Sequence, residues 1–179
     1  MARETYLDAV AHRVVVYDGA FGTYTQALDL TADDYGGTTL EGCPEVLAVT
    51  RPDVIAGMHD AYLAVGVDAV ETATFGGFAH VLGEYGIAHR VHELNVAAAR
   101  IAREVADGYA ADGRPRWVAG SIGPGTKLPS LGHIAFAELR DAYEEQAVAL
   151  LEGGVDLFLV ETCIDLLQAK AAIIGCRRA

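Results

Sequence analysis

A parallel α/β fold built from successive strand–helix units is the class this sequence predicts, on three observations. Four short apolar runs, residues 14–17, 69–72, 117–121 and 157–161, have strand length and stop at clusters of glycine and polar residues. Longer segments with helical apolar spacing separate them, and single strands alternating with helices imply parallel pairing, since each crossover returns the chain to the same edge. A weak internal repeat points the same way. Gly66-Val67-Asp68 leads to Glu71-Thr72, and Gly154-Val155-Asp156 leads to Glu161-Thr162, each a helix end feeding a strand.

The first run ends at Asp18-Gly19-Ala20-Phe21-Gly22-Thr23. Its small residues leave backbone N–H groups unshielded, which suits a grip on a carboxylate or phosphate oxygen and equally suits a plain tight turn. It is not the dinucleotide fingerprint G-x-G-x-x-G. Residues 52–65 then place Val54, Ile55, Met58, Tyr62 and Val65 on one helical face, with Pro52 at the first turn. After the second run, Val91, Leu94, Ala98, Ile101 and Val105 repeat at helical spacing within 89–111, and Arg90, Glu93, Arg100 and Arg103 fall largely outside that stripe.

The third run enters Gly120-Ser121-Ile122-Gly123-Pro124-Gly125-Thr126-Lys127. This nearly imitates a phosphate-binding loop, but Thr126 and Lys127 stand in reversed order and Pro124 removes an N–H from the cradle, so nucleoside triphosphate binding is excluded. A rigid glycine-rich loop continuing to His133 at the mouth of the sheet is expected instead. Leu139, Tyr143, Ala147, Leu150 and Leu151 mark a helix over 136–152, stopped by Gly153 and Gly154. A further helix is expected over 166–176.

A chain of 179 residues with 52% hydrophobic content supports one domain with one core. Its net charge of −12 argues against nucleic acid and anionic membranes as partners and leaves a small zwitterionic ligand compatible. The opening residues carry Glu4, Asp8 and His12 and no apolar h-region, giving the expectation of a cytoplasmic protein without a signal peptide or membrane span. Cys43, Cys163 and Cys176 are odd in number and widely spaced, which speaks against a disulfide framework or a self-contained zinc ribbon and for packed free thiols. His89 and His92 lie one turn apart, but with Arg90 and Glu93 beside them they read as a solvated helix face.

Parallel α/β sheets place ligands beyond the carboxyl ends of their strands, where this chain carries Asp18, Glu71 and Glu161. A carboxylate ending a run as apolar as Leu157-Phe158-Leu159-Val160 needs a partner to offset desolvation. A ligand ammonium or a neighbouring Arg or Lys would serve Glu161. Glu71 has the same two readings, tilted toward structure.

These segments, with Thr50-Arg51-Pro52-Asp53-Val54-Ile55, Thr74-Phe75-Gly76, Leu128-Pro129-Ser130-Leu131-Gly132-His133, Asp165 and Lys170, together resemble the homocysteine S-methyltransferase family, in particular its cobalamin-dependent members. The resemblance runs over nearly the whole chain. It implies a (β/α)8 TIM-type barrel of which residues 1–179 supply the first four units, a single domain forming the N-terminal half. It implies homocysteine as ligand, with backbone groups of Gly19 and its neighbours Ala20, Phe21, Gly22 and Thr23 holding the carboxylate. Glu161 and the Asp18 region would hold the ammonium, with Glu71 and Gly123 lining the mouth.

It further implies a zinc ion activating the substrate thiol, and methylcobalamin as a methyl donor carried by other domains. The family's zinc cysteines lie in later strands, and Cys43, Cys163 and Cys176 do not match them, so no zinc ligand is assigned. Ala73 stands where the family usually has asparagine. The expectation is a homocysteine-binding portion of a methyltransferase, inactive alone and completed by the missing half of the barrel. The alternative is a non-catalytic half-barrel that binds or self-associates through its open sheet edges. A remoter one is an open flavodoxin-like sheet holding a phosphorylated ligand.

Overall fold

A computed structural model describes residues 4–110 and 113–179. At its centre lies a parallel sheet of three strands, ordered β1 (Ala69–Glu71), β2 (Trp117–Ile122) and β3 (Leu157–Val160). Val70 pairs with Val118, and Ser121 with Leu159. The helices, in chain order, are α1 (Tyr6–His12), α2 (Phe21–Gln26), α3 (Leu47–Thr50), α4 (Pro52–Ala64), α5 (Ala79–Leu82), α6 (Val91–Tyr109), α7 (Phe136–Gly153) and α8 (Leu166–Arg178).

The main core joins the sheet to α4, α6, α7 and α8 through Leu63, Val70, Ala99, Val118, Tyr143, Leu150 and Ala171. Burying these apolar faces favours folding by roughly 25 cal/mol for each Å² removed from water. A smaller cluster closes the amino-terminal end of the sheet, where Trp117 packs with Ala9 and with the rings of Tyr6 and Tyr17. The alternation expected from the apolar runs is thus present for the last three of them. The helix expected over 89–111 begins at Val91, with His89 in a preceding 3-10 turn, and its expected end at Ala111 lies outside the described residues. Among the described residues no helix is long and apolar enough to cross a membrane.

The first run departs from expectation. Residues 14–17 form no strand; only Tyr17 bridges Ala69, in the parallel sense. Two aspartates explain why the ladder stops. Below the bridge, the Val16 N–H donates to the Asp68 carboxylate at 3.0 Å, and above it the Asp18 carboxylate accepts from the Glu71 N–H at 3.0 Å. Side chains thereby take the places that backbone partners would fill.

The repeated Gly-Val-Asp triplet has a structural meaning. Gly66 and Gly154 turn the chain with φ of +95° and +97°, a region that favours glycine. The aspartate that follows then binds the strand before it at both of its polar ends. Asp68 donates its N–H to Val16 O and accepts from Val16 N; Asp156 donates to Val118 O at 2.8 Å and accepts from Val118 N at 2.7 Å. Each carboxylate is also paired with arginine, Asp68 with Arg13 and Arg114, and Asp156 with Arg103. For Asp68 burial opposes the charge, but the Val16 N–H and the Arg13 and Arg114 guanidiniums outweigh it and hold the carboxyl below its usual range.

His59 of α4 is fully buried, and neither ring nitrogen has a hydrogen-bond partner. Burial alone pushes its pKa down from 6.5 to about 4. The unfolded chain therefore takes up a proton near pH 6.5 that the folded chain refuses, and this group's contribution to stability is lost as pH falls from about 6.5 toward 4. The linkage amounts to about 2 kcal/mol between pH 8 and pH 5. Replacing His59 with Leu should accordingly stabilise the protein by that much more at pH 5 than at pH 8, as read from denaturant melts at the two pH values.

Candidate functional site

The sheet order brings together acids that are remote in sequence. Asp18 follows the Tyr17 bridge, Glu71 ends β1, and Glu161 follows β3, its N–H donating to Ile122 O at 3.1 Å. Between them β2 contributes Ser121, whose hydroxyl donates to Glu161 Oε1 at 2.6 Å. Above this rim opens a cavity of about 530 Å³, lined by Asp18, Gly19, Ala20, Phe21, Gly22, Pro44, Glu45, Met58, Glu71, Thr72, Ala73, Thr74, Phe75, Ser121 and Glu161. Four of these residues are acidic and none is basic.

Side-chain hydrogen bonds hold the walls. Thr72 and Thr74 share a hydroxyl contact of 2.6 Å; Thr74 donates to Ser121 O, and Thr72 accepts from the Ser121 N–H. Behind them, two fully buried amides substitute for regular structure: Gln146 of α7 donates to Thr74 O at 2.8 Å, and Asn95 of α6 donates to Gly77 O at 2.5 Å. The loop after β2 is pinned likewise. Tyr143 donates to Gly123 O and Pro124 O, Gln168 to Pro124 O and Lys127 O, and the Asp165 carboxylate, which also caps α8, accepts from the Ser130 N–H and hydroxyl. The loop after β2 is thus tied by protein groups rather than arranged as a phosphate cradle.

Asp18, Gly19, Ala20, Phe21, Gly22, Glu71 and Glu161 all line the cavity. Thr23 and Gly123 do not. The Thr23 hydroxyl donates to Ala20 O, one turn back in the same segment. Gly123 lies beneath Phe75, donating its N–H to Phe75 O at 3.0 Å, and a Cβ there would stand 2.6 Å from that oxygen. The lack of a side chain at Gly123 serves close contact between two loops. Gly19 meets a similar restriction, since a Cβ would fall 2.8 Å from the Tyr62 hydroxyl.

Of the two partners open to Glu161, neither Arg nor Lys is present: among the described residues it forms no ion pair, and it meets the hydroxyls of Ser121 and Thr162 and the carboxyl of Glu71, with which it shares a hydrogen bond. The arginine of Arg51-Pro52-Asp53 has a structural use, gripping Asp53 through two nitrogens and joining α4 to Asp34. His92 pairs with Glu152 at 2.8 Å on the exposed face between α6 and α7.

Glu45 escaped the sequence reading. It is 5% exposed, accepts the Gly76 N–H at 2.7 Å and faces the Cys43 thiol at 3.6 Å. A charged residue opening the apolar stretch Val46-Leu47-Ala48-Val49 was the available signal. Burial raises its carboxyl above the usual range. Burial, with a further push from the Glu161 charge, takes Asp18 up to about 7 against the opposing N–H of Glu71. Glu71 also rises to about 7, through burial, then the charges of Glu161 and Asp18, and a hydrogen bond shared with the Glu161 carboxyl.

Among the described residues no group of three His, Cys, Asp or Glu side chains is arranged to hold a metal ion. The cysteines do not fit a thiolate zinc site. Burial pushes Cys43 up to about 12 with the Glu45 charge adding to it, and burial takes Cys176 up to about 11, which opposes the thiolate that zinc binds. Cys43 packs with Val46 and Leu82, Cys176 against the main core.

Comparison with known proteins accords with this geometry. Over 173 residues the chain is 55% identical to methionine synthase of Mycobacterium tuberculosis (strain ATCC 25618 / H37Rv) and 51% identical to that of Mycobacterium leprae (strain TN). Each alignment covers 97% of this chain and 14% of the relative, so the chain spans about a seventh of their length. The fold matches the metallated form of the homocysteine methyltransferase MmuM from Escherichia coli, with a TM-score of 0.76 and 21% identity over 95% of this chain and 62% of that one. Its apo form matches with a TM-score of 0.70 at 20% identity over 94% and 57%. Residues 15–179 match the family model for homocysteine S-methyltransferase, and the chain belongs to that family.

Proposed function

We propose that this chain is the homocysteine-gripping portion of a cytoplasmic methionine synthase-type methyltransferase. The observation that carries the proposal is the cavity itself: Asp18, Glu45, Glu71 and Glu161 line it with no basic residue among them, so charge balance calls for a cation from the ligand. An α-ammonium between Glu161 and Asp18 supplies it, each charged hydrogen bond contributing roughly 1.5–3 kcal/mol. The substrate carboxylate then lies against the turn at residues 19–22 and the start of α2, where a helix leaves its first N–H groups without internal acceptors. The remaining chain of the amino acid runs along the apolar wall of Phe21, Met58, Ala73 and Phe75.

In this family a zinc ion supplies thiolate activation, and among the described residues no group of side chains is arranged to ligate it. We place the metal site and the methyl donor, methylcobalamin among the candidates, in sequence outside these 179 residues. These residues alone would bind homocysteine and not methylate it. Calorimetric titration with L-homocysteine, zinc analysis and a methyl-transfer assay on this polypeptide test the reading. Binding without stoichiometric zinc or turnover is expected; zinc with turnover would sink the division of labour, and absence of binding would sink the substrate assignment.

A second reading, self-association, is favoured by apolar exposure beside both outer strands. Val14 is 81% exposed and Ile164 86% exposed, and every residue of the edge strand β3 is apolar and only half-buried. Light scattering during size exclusion distinguishes a monomer from the dimer or larger species this reading requires.

A further inference from the structure

We infer that Ser121 and Thr162 are positioning residues that clamp the Glu161 carboxylate, one hydroxyl on each oxygen, and so aim it into the cavity. Ser121 donates to Oε1 at 2.6 Å and Thr162 to Oε2 at 3.4 Å. The two donors arrive from different elements, β2 and the residue after Glu161.

Ser121 is itself immobilised. It is 3% exposed, its N–H is bound by the Thr72 hydroxyl at 3.0 Å, and its carbonyl accepts from Thr74 at 2.8 Å. Thr162 has φ of +57°, in the left-handed region, and only Asp29 shares that property among the described residues other than glycine. A β-branched residue is poorly suited to this conformation, which glycine adopts freely. Strain kept in an exposed residue that touches a site acid points to use of its side chain.

The clamp answers a physical need. Glu161 faces Glu71 and Asp18 across the rim, with Cys163 and Asp165 following it in the chain, and no positive group pairs with it among the described residues. Like charge drives such a carboxylate toward solvent unless donors hold it. The two hydroxyls do so, beside the hydrogen bond that Glu161 shares with Glu71 while Glu71 is protonated, and once Glu71 ionises they alone hold it and leave lone pairs for a cation. That last step rests on the homocysteine reading; the clamp on the free protein does not.

The test uses this chain with Ser121→Ala, Thr162→Gly and Thr162→Ser. Carbon-13 NMR titration of the Glu71 carboxyl in the ligand-free protein reads whether Glu161 stays in place, because the Glu161 charge helps hold Glu71 at about 7. The midpoint should fall by roughly one pH unit in Ser121→Ala and Thr162→Gly as Glu161 swings out, and stay put in Thr162→Ser. Affinity for L-homocysteine should drop about tenfold in Ser121→Ala and about threefold in Thr162→Gly, with Thr162→Ser retaining it. Thr162→Gly should melt no lower than the parent, because strain is relieved; weaker binding in an equally stable protein is what a purely structural residue would not give. Glu71 midpoints equal to the parent's in both hydroxyl-deleting variants would overturn the clamp. Should Ser121→Ala fail to fold, Thr162→Gly decides alone. A parent chain that binds no homocysteine would refute the substrate reading, and the titration would still decide the clamp.

Discussion

Glu161→Gln should cost the chain between one and two orders of magnitude in affinity for L-homocysteine while leaving it folded and, at pH 8, at least as stable as the parent. The two halves of this result have one cause. Glutamine retains an acceptor for the Ser121 hydroxyl, which donates to Glu161 Oε1 at 2.6 Å, so the local scaffold survives. It removes the charge that would meet the ammonium, and a hydrogen bond to a charged group is worth roughly 1.5–3 kcal/mol, about a ten- to 150-fold change in affinity. It also removes the charge that helps to raise Asp18 and Glu71 to about 7, so the cost of ionising those two falls. Calorimetric titration and thermal melts at pH 8 check both parts. Undiminished affinity would show that the ligand cation sits elsewhere, and a large loss of stability would show that Glu161 has a basic partner the cavity does not contain.

Stability of the ligand-free chain should fall as pH rises from about 4 to 7, and affinity for the amino acid should rise over the upper part of the same window. Asp18 moves from 3.8 to about 7 and Glu71 from 4.5 to about 7, so between these limits the folded state holds protons that the unfolded chain has released. Stability therefore decreases with pH through the window and levels off above pH 7. His59, held neutral at about 4, acts in the opposite sense between pH 4 and 6.5. Asp18 and Glu71 together outweigh His59, and Glu45, also raised by burial, adds in their sense, so stability still falls with pH there and falls more steeply in the His59→Leu variant.

A ligand ammonium reverses the preference, because it needs the carboxylates ionised. Below pH 7 binding should release protons, and affinity should improve up to about tenfold per pH unit for each proton displaced before reaching a plateau above 7. Calorimetry in buffers of differing ionisation enthalpy counts the protons. Binding that is flat from pH 5.5 to 8 would mean that Asp18 and Glu71 take no part.

Periodicity in the chain was sufficient for the four long helices, α4, α6, α7 and α8, whereas the short α1, α2, α3 and α5, of four to seven residues, are too brief to show a period. Val54, Ile55 and Met58 mark one buried face of α4, and Gly153 with Gly154 mark the end of α7, the latter at φ of +97°. These are local matters, settled by spacing and by which residue tolerates the left-handed region. The run at residues 14–17 misled because β-propensity speaks to side-chain fit and not to which backbone groups remain for pairing. Asp68 and Asp18 occupy those groups, and both are remote or side-chain effects that a pattern of apolar residues does not register.

The acids illustrate the same division. That Asp18, Glu71 and Glu161 stand at the carboxyl ends of apolar runs follows from their order along the chain, and parallel topology then puts them on one face. Their mutual approach, the lack of a basic partner for Glu161 among the described residues, the buried Glu45 against Gly76, and the close packing of Gly123 on Phe75 depend on contacts between segments remote in sequence. Hydrophobic period, glycine placement and strand-end chemistry are local and survive in a linear reading. Desolvation and mutual repulsion among carboxylates exist only once the sheet has assembled them, and those two effects turn four ordinary acids into a site that waits for a cation.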